Sequence, residues 1–336
     1  YSFLRENKRV IDFLNTKFKS KPLIAGSNVK SLKTGYFYGE TIEAIKTTYK
    51  VDKAKFDKGK YRNVMGNMAL SLGLVVASKK ANMDLFFGGY PITPASDILK
   101  YLAGYKHFGV KTFQAEDEIA AITSALGASF AGNLSVTASS GPGIALKGEA
   151  IGLGIIAELP LIILNIQRGG PSTGLPTKTE QSDLFQAMYG RNGDCPCVVL
   201  AANSPSDCFY TAIEAAKITL EHMVPVILLS DGYIANGSEP WRLPDINKIP
   251  KINNKLISNS SEEYLPYTHD SKTLAREWAI PGMEGFEHRI GGLEKADKTG
   301  NVDYSPENHE MMVRQRQKKV DIVANFIPAL EVYGKK

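Results

Sequence analysis

From about Asn63 the apolar positions fall into two alternating patterns. One is a compact block rich in Val, Ile, Leu or Phe: "MDLFFGG", "KTFQAE", "LSVTAS", "LIILNIQ", "CVVLAA" and "PVILLSD". The other is a longer run with helical spacing: "GNMALSLGLVVASKK", "ASDILKYLAGY", "EIAAITSALGASFAG", a stretch from about Ile144 to Ala157, "SDLFQAMYG" and "SDCFYTAIEAAKITLEHM". Near-continuous apolar strands alternating with helices predict a parallel sheet covered on both faces, a doubly wound α/β fold. Thr93 is the predicted N-cap of the "ASDILKYLAGY" helix, with Pro94 at its first position.

The rhythm stops after Gly232. Residues 236–304 are rich in Pro, Asn, Ser, Gly and charge without a sustained period, and a helical run "NHEMMVRQRQKKVDIVANFI" follows. So long an irregular stretch is uncommon inside a compact domain and reads as an irregular C-terminal linker or lid. Residues 1–62 match neither pattern and read as the tail of a preceding unit. The expected organisation is therefore 1–62 as tail and linker, 63–235 as the α/β domain and 236–336 as linker or lid.

Composition narrows the function classes. The chain has 336 residues, 43% hydrophobic and 22% charged, with a net charge of +5, which is an ordinary globular balance. The densest basic stretch, "KVDKAKFDKGKYR" from Lys50 to Arg62, lacks the interleaved aromatics that stack on bases, so it reads as a solvated linker and no nucleic-acid partner is expected. Cys195, Cys197 and Cys208 supply neither a zinc nor an iron–sulfur framework. So few cysteines point to a reducing cytoplasm. The most apolar window, Ile151 to Ile166, is interrupted by Glu158 and Pro160, so no membrane span is expected.

In parallel α/β sheets ligands bind beyond the carboxyl ends of the strands. Four loops occupy that position: "GGYPITP", "QAEDE", "SSGPG" and "QRGGPSTGLPTKTE". None is a standard phosphate loop, since neither G-x-x-x-x-G-K-[ST] nor G-x-G-x-x-G is present at the first strand. Glu116, Asp117 and Glu118 open the next helix, where acids complement the dipole. The helix beyond them carries Ala120, Ala121, Ser124, Ala125, Gly127 and Ala128. Small side chains allow close packing, and a carboxyl group in such a dry place can share a proton with a heterocyclic nitrogen.

These residues carry a resemblance. A glutamate nine residues before a helix glycine, then a strand ending in "TASSGPG", resembles the pyrimidine-binding domain of thiamine-diphosphate enzymes. With "YPITP" upstream and "QRGGPSTGLPT" downstream, the chain from about Arg62 onward is similar to the alpha subunits of 2-oxoacid:ferredoxin (acceptor) oxidoreductases, of the 2-oxoglutarate type. The resemblance implies that residues 1–62 end a gamma-type domain and that "LEVYGKK" leads into a further C-terminal domain.

It also implies roles. Glu118, chosen by its spacing to Gly127, is the catalytic acid on the aminopyrimidine ring, with Glu116 left as a helix-start acid. Tyr90, Pro91, Ile92, Ser140 and Gly141 line the cofactor. Arg168 clamps the substrate carboxylate, Thr93, Thr173 and Thr177 add hydroxyls, and Lys178 is the nearest substitute for Arg168. No G-D-G motif and no four-cysteine set is present, so Mg²⁺, the diphosphate site and a 4Fe-4S cluster are expected on a beta subunit rather than here. Ferredoxin and coenzyme A are the other expected partners, in a heterodimer or dimer of heterodimers. The implied reaction converts a 2-oxoacid, with 2-oxoglutarate favoured, to acyl-coenzyme A and CO2. A branched-chain 2-oxoacid such as 2-oxoisovalerate, pyruvate, or a non-catalytic scaffold are the alternatives.

Overall fold

The structure, a computed structural model, describes residues 7–43, 47, 49, 52–257, 263–329, 332 and 334. The terminal "LEVYGKK" lies mostly outside them. The chain divides into two compact units, 1–59 and 60–336. The first holds helices α1 (Lys8–Lys17) and α2 (Pro22–Thr41).

The second opens with β1 (Tyr61–Met65), α3 (Gly66–Lys80), β2 (Leu85–Gly89), α4 (Ser96–Ala103), β3 (Val110–Gln114) and α5 (Glu118–Phe130). It continues with β4 (Leu134–Ser139), α6 (Gly141–Leu146), α7 (Gly148–Ile156), β5 (Leu161–Gln167), α8 (Leu184–Tyr189) and β6 (Val198–Ala201). The last elements are α9 (Asp207–His222), β7 (Pro225–Asp231), α10 (Gly232–Asn236), β8 (Ser238–Arg242) and α11 (Pro306–Val323). Six parallel strands form one sheet in the order β3-β2-β4-β5-β7-β6. Alternation along the strands builds two cores. Val136, Ile162, Leu164, Val226 and Leu228 face α3 and α9, whereas Leu161, Ile163, Ile227 and Leu229 face α5 and α7. The expected doubly wound α/β sheet is present.

The chain winds from β2 outward to β3 and then returns to place β4 on the other side of β2. The loops after β2 and β4 therefore diverge, which opens a crevice at the carboxyl edge. The close seating of α5 on β2 follows from a missing side chain. A Cβ at Gly88 would lie 2.4 Å from the Ala121 carbonyl oxygen and 2.7 Å from Ser124 Oγ.

β1 pairs antiparallel with β8 in a separate two-stranded ribbon, Tyr61 opposite Arg242 and Met65 opposite Ser238. The sequence-based boundary after Arg62 thus falls inside β1. Between Arg242 and α11 the described residues are irregular yet well packed, with Tyr267, Arg276 and Trp278 buried. Its contacts collect at the amino edge of the sheet. Ile252 N donates to the Lys80 carbonyl, Asn254 Nδ2 to Ala81, Lys295 Nζ to Ile156 and Arg276 Nε to Glu158, all just ahead of β2 or β5. Among the described residues no helix is long and apolar enough to cross a membrane.

Candidate active site

All four loops singled out in the sequence leave the carboxyl edge, because the strands they follow are parallel. They surround a cleft of about 1030 Å³ lined by Tyr90–Thr93, Glu118, Gly141, Pro142, Arg168, Thr173 and Asp183, among others.

The loop after β2 departs from the expected helix start. α4 begins at Ser96 with Ala95 as N-cap and no side-chain capping bond, so Thr93 does not cap it. The Thr93–Pro94 peptide is cis. The Ile92 amide is instead taken by Ser96 Oγ at 2.9 Å. Thr93 is free to serve the cleft, where its carbonyl accepts Arg168 Nη1 at 2.7 Å.

Glu118 is the first residue of α5. Asp117 is the N-cap, its Oδ1 accepting the Ala120 amide at 2.8 Å, while Glu116 is exposed one position before it. The capping acid is therefore Asp117, and Glu116 stands just ahead of the cap. Tyr90 Oη donates a very short hydrogen bond to Glu118 Oε1 and lies 3.3 Å from Ser139 Oγ. Burial, then the hydrogen bond to Glu118, pushes the Tyr90 phenol well above its ordinary range, so it stays protonated and donates. Gly143 makes this cluster sterically possible. A Cβ there would stand 1.9 Å from Ser139 Oγ and 2.8 Å from both Glu118 Cγ and Tyr90 Oη. Gly127, by contrast, has open space around it. The spacing that selected Glu118 therefore has no packing basis within this chain; the close contacts come from Gly88 and Gly143.

Ser140 is buried with its hydroxyl unpartnered, and Gly141 behind it starts α6. That helix begins earlier than the expected Ile144, at the first residue after the N-cap, and is separated from α7 at Lys147. Arg168 is buried at the end of β5, and Nη2 donates to the Thr173 carbonyl at 3.0 Å while Nε has no partner. Thr93 and Thr173 thus meet Arg168 through their carbonyls. Thr177 and Lys178 are exposed and do not line the cleft. Their loop is closed by backbone bonds, Gly169 N to Lys178 O and Leu175 N to Gly169 O. Gly174 permits the turn at φ +52, with the Gly169 carbonyl 2.1 Å from where its Cβ would be.

Sequence reasoning missed several groups. Asn165 and Gln167, two polar residues on the same side of the otherwise apolar β5, hold Asp183: Asn165 Nδ2 donates to its carboxylate and its own amide donates to Gln167 Oε1, both at 3.0 Å. Burial raises the Asp183 carboxyl, with Glu180 adding to it. Glu180 accepts the Gly170 amide at 2.8 Å. Lys147, fully buried, donates to the Glu118 carbonyl at 2.7 Å and to Thr137 Oγ1 at 3.1 Å. Asn165, Gln167 and Lys147 are visible as polar residues in or beside apolar runs, whereas Glu180 and Asp183 sit in the polar stretch "TKTEQSD" and carry no such signal.

Comparison with known proteins agrees with this architecture. Residues 77–307 match the family described as "Pyruvate flavodoxin/ferredoxin oxidoreductase, thiamine diP-bdg". The chain is 56% identical over 328 residues to the 2-oxoglutarate oxidoreductase subunit KorA of Mycobacterium tuberculosis, covering 98% of this chain and 50% of that protein. It is 44% identical over 187 residues to the 2-oxoglutarate synthase subunit KorA of Archaeoglobus fulgidus, 55% of this chain and 53% of that one. The chain thus spans about half the length of the curated relatives it matches. A solved 2-oxoglutarate:ferredoxin oxidoreductase from Magnetococcus marinus, with 2-oxoglutarate, coenzyme A and succinyl-CoA bound, superposes with a TM-score of 0.86 at 34% identity, over 100% of this chain and 57% of that chain.

Proposed function

Because the chain belongs to the thiamine-diphosphate-binding family of pyruvate flavodoxin/ferredoxin oxidoreductases, we propose that it supplies the pyrimidine-facing half of an enzyme that oxidatively decarboxylates 2-oxoglutarate to an acyl-coenzyme A and CO2. The carrying observation is the cleft itself. Glu118, fixed by Tyr90, shares one cavity with the buried Arg168, which comes from a different strand end. A 2-oxoglutarate enzyme is favoured over a branched-chain 2-oxoacid or pyruvate enzyme because the relatives compared above are 2-oxoglutarate oxidoreductase or synthase subunits.

The donor set fits the aminopyrimidine half of thiamine diphosphate. Ser140 Oγ is buried and unpartnered, Gly141 lines the cleft without a side chain, and Glu118 offers one carboxylate oxygen beyond that held by Tyr90. The chemistry supplied by that cofactor when bound is a stabilised carbanion. Glu118 would hold the proton shared with the ring nitrogen, and Tyr90 keeps the carboxylate from rotating away. Pro91 and Ile92 wall the same side of the cleft. Arg168, carrying donors beyond those spent on the two threonine carbonyls, would take the substrate carboxylate. Thr173 and Thr93 add hydroxyls at its rim, and Thr177 joins them only if its loop shifts.

Mg²⁺, the diphosphate contacts and a 4Fe-4S cluster are assigned to a beta subunit, with coenzyme A and ferredoxin as the remaining partners of a heterodimer or dimer of heterodimers. The three cysteines are unpaired, in keeping with a reducing cytoplasm. The test is reconstitution with the beta subunit and viologen reduction driven by 2-oxoglutarate, 2-oxoisovalerate or pyruvate in the presence of coenzyme A. The 2-oxoglutarate rate should dominate. No coenzyme A-dependent reduction with any of the three would overturn the assignment.

A further inference from the structure

Lys147 occupies an expensive position for a lysine. It separates α6 from α7, its side chain is fully buried, and its ammonium donates to the Glu118 carbonyl at 2.7 Å and the Thr137 hydroxyl at 3.1 Å. Neither acceptor is charged. Withdrawing an ammonium from water costs several kcal/mol, and an apolar side chain of similar volume would fill such a space at less cost. The groups facing it are Glu118 and Asp117 on α5 and Tyr90 after β2, whose ring centroid lies 5.9 Å from Nζ. Glu180 and Asp183 line the same cleft as Glu118, and Lys147 does not reach its lining.

We infer that Lys147 is a positioning residue for Glu118, its buried positive charge fixing the first turn of α5 and drawing the proton shared across the cleft away from the Glu118 carboxylate. This rests on the reading of Glu118 as the acid that faces the cofactor. Two features of the geometry support it. The lysine grips the backbone of the residue whose side chain enters the cleft, so charge and position are coupled. In addition, the Glu118 carboxylate spends one oxygen on Tyr90 and keeps the other for a ligand. The ammonium holds the peptide from which that carboxylate projects. Burial lowers the Lys147 ammonium to about 8, with Glu118 and then Asp117 opposing the loss of its proton. The charge behind Glu118 is thus present at neutral pH and lost just above it.

The experiment uses the assembled enzyme and three variants. Protonation of Glu118 is followed without thiamine diphosphate, by the infrared band of the neutral carboxyl, with E118Q as the blank. In K147M the Glu118 titration should move to higher pH by about a unit or more, a tenfold change in its proton affinity. Loaded K147M should lose at least about tenfold in kcat/KM at pH 7 and lack an alkaline limb near pH 8. An unchanged Glu118 titration in a K147M enzyme that melts like wild type would overturn the inference. Should K147M fail to fold, K147R decides: its alkaline limb must move upward because arginine keeps its charge, and a limb that stays near pH 8 overturns the inference. Full activity in E118Q would overturn the reading of Glu118 itself, which the cofactor-free titration of K147M does not touch.

Discussion

The two edges of the sheet each hold one key glutamate, and the two are treated in opposite ways. At the amino edge Glu158 is enclosed. His269 Nε2 lies 3.0 Å from both of its oxygens, Lys319 donates to Oε2 in a very short contact, and Lys295 stands 4.0 Å away. Burial alone would raise this carboxyl, but Lys319 first, then His269 and Lys295, hold it well below the ordinary range. Its lone pairs are spent, and it ties α11 and the irregular segment to the end of α7. At the carboxyl edge Glu118 has a single tyrosine on one oxygen and opens onto a cavity. One acid is saturated and fastens the fold; the other is held in place and left unfinished. A carboxylate kept in a cleft with an unused oxygen is ready for a ligand, whereas a fully paired one is not.

The largest test crosses the two positions. E118Q should lower kcat by about 10²- to 10⁴-fold, the usual cost of losing a placed acid–base group, and leave the melting temperature nearly unchanged. E158Q should do the reverse. Leaving Lys319 buried without its anion costs about 3–5 kcal/mol, which lowers the melting temperature by on the order of 10 °C while the folded fraction keeps its turnover. The acid side sharpens the same contrast. A depressed carboxyl contributes stability that is complete above its unfolded value, about 4.3, and is lost as pH falls toward the folded value. Wild type should therefore lose stability progressively below about pH 4.3, and E158Q should show a flatter limb in chemical denaturation from pH 5 to 2. Equal effects of the two substitutions on both readouts would erase the distinction.

Next comes Arg168. Its removal should cost about 30- to 5,000-fold in kcat/KM for 2-oxoglutarate, with thiamine diphosphate affinity barely altered, and Arg168→Lys should recover only part. A weakened cofactor with a spared substrate would move the arginine out of the substrate group. Gly143→Ala drives a methyl group into Ser139, Glu118 and Tyr90, so it should destabilise by about 1–3 kcal/mol and lower kcat by displacing the Tyr90–Glu118 bond. A fully active, undisturbed G143A protein would contradict the packing described above. The smallest effect is expected at Glu116→Gln. The residue is exposed and outside the helix, so turnover should change by less than roughly threefold.

Much of this was legible in the chain. Strands β4, β5 and β7 and helix α3 fall where the hydrophobic blocks place them, because strands buried on both faces must be continuously apolar. The common edge of the four loops followed from parallel order alone. What could not be read is where side chains meet over long separations. That Tyr90 reaches Glu118, 28 positions on, depends on Gly143 having no side chain. The stretch 236–304 reads as a linker or lid because its sequence has no period. Its burial comes from single aromatics and ion pairs, Trp278, Tyr267 and the Glu158 cluster, which leave no periodic trace. The helix start at Ser96 was missed for a local reason: Pro94 after Thr93 reads as a cap, but the loop is organised by the Ser96 hydroxyl and by Arg168 far along the chain.

The small β1–β8 ribbon has a mechanical consequence. Its register joins Lys60 and Leu243 at one end, where the Leu243 amide donates to the Lys60 carbonyl at 2.9 Å. The chain therefore enters and leaves the segment between them through the same narrow gate. A force pulling on the two flanking segments meets the ribbon in unzipping geometry, breaking its hydrogen bonds one at a time. Each bond yields before the next is loaded. The ribbon is a fuse. Tension applied at engineered handles on residues 60 and 243 should show a low-force opening event ahead of, and separate from, the rupture of the sheet.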